Sequence, residues 1–153
     1  AIALGFASMI LSGVVAHLVL YRKAKQTPIF SLMYGTLIFG MVFTVLGTLL
    51  GGVWADFAWG RFWGFDPKEC GALFVILWAL LSIHLWAGKI ISPRVFALLN
   101  ALNVIVTFLC WFGVNLLGVG LHSYGFQNGS AIWLAVFVVV DSMVIAYLGL
   151  RKS

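Results

Sequence analysis

Five apolar runs of about 20 residues organise the chain: Ala1 to Tyr21, Ile29 to Gly51, Pro67 to Gly88, Val95 to Leu117 and Ser130 to Leu150. A helix of that length crosses roughly 30 Å of hydrocarbon. The pattern therefore predicts an all-α, polytopic membrane protein of about five transmembrane helices, spans A to E. Polar residues collect at the joints. Arg22, Lys23, Lys25 and Pro28 follow span A, Lys89, Pro93 and Arg94 separate C from D, and Arg151 and Lys152 follow E. Two longer polar islands lie over residues 52–69, after span B, and 118–129, after span D.

If the spans alternate direction, one side carries Arg22, Lys23, Lys25, Lys89, Arg94, Arg151 and Lys152, and the other only Arg61 and Lys68. Seven bases against two make the first side cytoplasmic by the positive-inside rule. Both islands then face outward, into the periplasm if the membrane is a bacterial cytoplasmic one. The net charge of +5 is thus a signal of topology, and a nucleic-acid partner is not indicated. Composition agrees, with 63% hydrophobic and 8% charged residues against about 25% charged in soluble domains. Residues 1–153 read as a single membrane domain whose partner is the lipid bilayer. The first residue is not Met, and bases follow the first run instead of preceding it, the reverse of a signal peptide. The expectation is a true span in the C-terminal part of a longer chain.

The stretch from Trp54 to Glu69 holds three of the seven tryptophans, three phenylalanines and three of the four acids. On a helix, Trp59, Trp63 and Asp66 would fall on one face, with Phe62 and Phe65 beside them. That spacing predicts a short aromatic helix lying flat on the outer face. It has two readings: an interfacial aromatic belt, or a shelf for a planar apolar ligand, with Arg61 or Lys68 available to acidic substituents. Asp66, Pro67 and Glu69 also match an N-cap, a first-turn proline and the third residue of a capping box, which would start span C. Gly47 and Gly51 form a GxxxG pair that would admit a helix or a flat ligand close to the backbone.

Among the remaining candidates, His122 lies in the second island between glycines, which leave room for a large planar group, and neutral imidazole is a common axial ligand of haem iron. His84 lies in span C, toward the cytoplasmic half of the membrane, and His17 in span A at similar depth. Ionisable groups there are functional candidates, with a neutral histidine bonded between helices as the plainer alternative. Asp141, in the middle of span E, needs protonation, water or a partner, and Asn100, Asn103 and Asn115 offer amides. Cys70 and Cys110 form no CxxC or CxxCH pattern and read as packing residues. No phosphate loop, HExxH or Ser/His/Asp arrangement stands out, so phosphoryl transfer and hydrolysis lack their parts.

The run W-G-R-F-W-G-F-D-P-K-E resembles the tryptophan-rich WGxxWxWDxxE signature of the CcsA (ResC), CcmC and CcmF haem-handling membrane proteins. The run F-G-V-N-L-L-G-V-G-L-H-S-Y-G resembles the CcsA segment that carries an external haem-ligand histidine. The resemblance implies that Trp59, Gly60, Trp63 and Asp66, with Phe62 and Phe65, bind haem b as cargo at the outer face. It further implies that His122 is an axial ligand there and that His84 ligates haem iron at a transit site within the membrane. A CcsB-like membrane partner would supply the other membrane histidine. The implied function is haem transport and covalent attachment to apocytochrome c at its CxxCH motifs, a haem lyase or synthetase reaction. Which residues of this chain would be catalytic is unknown. A non-catalytic haem-binding or structural membrane subunit is the alternative, and a carrier of the CcmC type a third. Phe65 stands where the signature has tryptophan, and the family's first external histidine would precede Ala1. A plastid thylakoid membrane is the second choice of location after the bacterial cytoplasmic membrane.

Overall fold

The computed structural model describes residues 1–22, 28–121 and 129–151, and His122 lies outside them. Five α-helices follow the apolar runs: α1 (Ile2–Arg22), α2 (Pro28–Trp59), α3 (Pro67–Ala87), α4 (Pro93–Trp111) and α5 (Ser130–Leu150). All five are long and apolar enough to cross a membrane, the fourth when the 3₁₀ turn Gly113–Leu117 that extends it is included, and the chain is a multi-pass membrane protein.

The expected flat aromatic helix does not form. Trp54 to Trp59 are instead the last turns of α2, which runs through Gly51, and residues 60–66 are a non-helical connection. The reason is local. Gly60, at a φ of +69°, ends α2 in the left-handed conformation that glycine adopts without a Cβ clash. At the other side Asp66 starts α3 with a complete capping box: its side chain accepts from the Lys68 amide, and Glu69 accepts from the Asp66 amide. Between two such firm helix ends no turn of helix remains for Trp63 to share with Trp59.

The bundle is centred on α1, which packs along α2 and α4, while α3 lies against α4 and α2. Without a hydrophobic drive between helices in lipid, close packing must hold them together. Small residues permit it: a Cβ at Gly5 would run into Thr44, and one at Gly13 into Val104 and the Asn100 carbonyl. Met9, Met33, Leu37, Val75 and Phe96 fill the centre. A buried polar seam adds direction. Ser12 Oγ lies 2.8 Å from the Met33 carbonyl oxygen and 3.1 Å from Asn100 Oδ1, and Asn103 Nδ2 donates to the Met9 carbonyl at 3.4 Å.

The fifth helix is peripheral, burying only Ile145 and Leu148 among its described side chains. Two polar ties fasten it. Arg94 donates to the carbonyls of Leu148 (3.3 Å), Gly149 (2.8 Å) and Arg151, capping the end of α5. Farther in, Asp141 meets His17 of α1 instead of the α4 asparagines that the sequence offered, at 3.2 Å. Asn100 and Asn103 are instead engaged with Ser12 and Met9 of α1.

An aromatic groove at the end of α2 as candidate functional site

The connection 60–66 folds back over the C-terminal end of α2. Gly52 makes this possible, because a Cβ there would come within 2.7 Å of the Phe62 ring. Phe62 and Trp63 thereby wall a groove of about 250 Å³ whose other lining includes Ile2 and Phe6 of α1, Gly51 of α2, Lys68 of α3 and Trp111 of α4. Its surface is mostly apolar, with the Lys68 amine and the Glu69 carboxylate at the polar side. Lys68 Nζ donates to the Trp111 carbonyl at 3.2 Å, which ties α3 to α4 beside the groove.

The GxxxG pair divides its two expected uses. At Gly47 a Cβ would collide with the backbone of Ile2, so this glycine admits a helix. At Gly51 nothing lies within 4 Å of the Cβ position, and this glycine opens on the groove. One position serves packing and the next turn offers bare backbone to a ligand.

The sequence candidates fall into separate places. Phe62 and Trp63 share the groove. Trp59 is turned to Trp54 in an edge-to-face pair 5.0 Å between centroids, and neither ring lines the groove. Phe65 is 75% exposed at a φ of +55°, its ring at right angles to Trp63. Asp66 is only 4% exposed, with one oxygen on the Lys68 amide at 3.1 Å and the other on the Leu121 amide at 2.7 Å. Gly60 is the helix stop already described. Glu69 Oε2 gathers the amides of Gly64 (2.8 Å) and Asp66 (3.1 Å), and Oε1 lies 3.7 Å from Arg61.

His84 is far from this groove, about 22 Å along α3 from Glu69 at 1.5 Å per residue. It is exposed on the bundle surface, and its Nδ1 lies 2.7 Å from the Leu80 carbonyl. A carbonyl can only accept, so Nδ1 donates to it. Trp111, Phe6 and Ile2 are groove residues that sequence reasoning missed. Trp111 packs edge-to-face on Phe6 at 5.2 Å, a contact between helices far apart in the chain.

A profile of the family described as "Cytochrome C assembly protein" matches residues 1–122. Curated relatives named "Cytochrome c biogenesis protein CcsA" include one from Welwitschia mirabilis, 41% identical over 69% of this chain and 35% of its own length. The protein of that name from Chlamydomonas reinhardtii is 35% identical over 82% of this chain and 38% of its own length, and that from Morus indica 43% over 69% and 32%. The chain thus spans about a third of the length of these relatives. No solved structure matches it. With the profile covering most of its residues and CcsA proteins as its curated relatives, the chain belongs to the cytochrome c assembly protein family, in its CcsA branch.

Proposed function

We propose that the chain presents haem b at the outer membrane face for covalent attachment to apocytochrome c. The observation that carries this reading is the groove: an apolar cleft with aromatic walls, an open glycine in its lining and an amine at its polar side. Its 250 Å³ falls below the ~300–1,000 Å³ of an ordinary small-molecule site. It therefore takes an edge of the macrocycle, with the rest of the ring lying outside against Phe65 and the second outer loop. His122, from residues 118–129, supplies an axial ligand, and Lys68 is within the groove lining to meet a carboxylate substituent.

The chemistry asks little of this chain beyond placement. A cysteine thiol of the CxxCH motif adds across a haem vinyl group: the sulfur bonds one vinyl carbon, the hydrogen goes to the other, and no electrons are exchanged with an external agent. Holding the ring in one orientation makes that addition effectively intramolecular. A CcsB-like partner completes the membrane transit site with His84, whose exposure on the bundle suits a ligand shared between chains. The membrane is the bacterial cytoplasmic membrane with both loops periplasmic. The plant and algal relatives support a thylakoid membrane as the second reading.

The test is spectroscopic. Full-length protein purified with its partner should carry haem, and Trp63→Ala should lower its haem content while His122→Ala shifts the Soret band. Protein that takes up no haem under those conditions would sink the proposal.

A further inference from the structure

Asp66 and Leu121 belong to different outer loops, 55 positions apart, yet Asp66 Oδ2 accepts the Leu121 amide at 2.7 Å. The approach is built from both sides. Gly120 has a φ of +93°, and a Cβ on it would overlap the Asp66 carboxylate, so the second loop lies directly on this acid. On the first loop, the other Asp66 oxygen holds the Lys68 amide. Glu69 in turn fixes the Asp66 and Gly64 amides and faces Arg61. Asp66 is 4% exposed, so its carboxylate is turned inward to these amides and away from any ligand in the groove.

We infer that Asp66 is a positioning residue that locks the tryptophan-rich loop to the second outer loop and so sets where the chain enters His122. This rests on the haem reading for the role of His122, but not for the lock itself. A charge-assisted hydrogen bond to a short carboxylate is among the stronger ties available to an amide. It anchors Leu121, which is peptide-bonded to His122. Glu69 stiffens the same loop through its amides. Loss of Asp66 should then impair iron ligation and leave the aromatic contacts of the groove in place.

The experiment uses full-length protein with haem bound and two variants. Asp66→Ala removes the lock together with the cap of α3. Gly120→Ala pushes on the same carboxylate from the other loop and leaves every residue of the cap in place. Both should retain haem, and their Soret band and reduction potential should move to those of His122→Ala. Added imidazole should return all three variants toward the parent. In amide exchange, Leu121 should open roughly ten- to hundredfold faster in Asp66→Ala, as expected for losing a hydrogen bond to a charged group. Parent-like spectra and potentials in both variants would overturn the inference. So would loss of haem in Asp66→Ala with haem kept in His122→Ala, which would make Asp66 a haem contact. If His122→Ala itself matches the parent, the haem reading fails. Leu121 exchange then decides alone: faster exchange upholds the lock, and unchanged exchange removes it.

Discussion

His17 Nε2 lies 3.2 Å from Asp141 Oδ1, joining α1 to α5 inside the membrane. His17 Nδ1 lies 2.8 Å from the Gly13 carbonyl, which can only accept, so Nδ1 carries a hydrogen. Both side chains are mostly shielded, at 18% and 15% exposure. Removing one partner strands the other in a low-dielectric site, which costs about 3–5 kcal/mol for a fully buried pair and less here. His17→Leu or Asp141→Leu should therefore lower the unfolding midpoint in detergent, and the double variant should recover most of the loss. Additive losses would show that the two residues do not act as a pair.

The two glycines of the GxxxG pair should respond oppositely to enlargement. Gly47→Ala forces a side chain onto the Ile2 backbone and should destabilise the bundle by about 1–3 kcal/mol, the usual range for overpacking. Gly51→Leu meets open space and removes a helix-weakening glycine, a gain of up to about 1 kcal/mol. Its side chain would enter the groove, so haem content should fall while thermal stability holds or rises. A Gly51→Leu protein with full haem content would place the ligand elsewhere.

Phe65 combines a left-handed backbone with a largely exposed aromatic ring. That conformation costs a non-glycine residue on the order of 1–2 kcal/mol. Phe65→Gly should relieve it and raise the unfolding midpoint, while haem retention drops. An equal or lower midpoint would show that the ring contributes more packing than its exposure suggests.

His84 touches only its own helix, through the Leu80 carbonyl, among the contacts described. His84→Ala should leave stability within about 0.5 kcal/mol, as for surface changes generally. Any haem species that depends on the membrane partner should be lost. Difference spectra of the co-purified complex, compared with His122→Ala, would separate an inner ligand from an outer one.

Much of this bundle could be read from residue order. The start of α3 was written in Asp66, Pro67 and Glu69, and Ser130 to Leu150 matched α5 because the apolar run has polar or glycine neighbours on both sides. The C-terminal end of α2 was misread for a physical reason. Gly51 and Gly52 look like a stop, but the first opens on the groove, the second admits the Phe62 ring, and the true stop is Gly60, where φ is positive. The groove was half legible. Phe62 and Trp63 announce themselves by composition, but Ile2, Phe6 and Trp111 join them through helix adjacency alone. The His17–Asp141 pairing was hidden in the same way, since nothing in either span says that α5 returns beside α1.

The 32 residues of α2 give a rod about 48 Å long, against roughly 30 Å of hydrocarbon. Such an excess is met by tilt, by local thickening of the bilayer, or by emergence at an end. Since Trp54 and Trp59 close the C-terminal end of α2 as a ring pair suited to the headgroup layer, α2 acts as a height gauge for the loop it carries. One residue inserted between Gly52 and Trp59 would raise that loop by about 1.5 Å and swing it about 100°. The groove would lose its far wall without any groove residue having been changed.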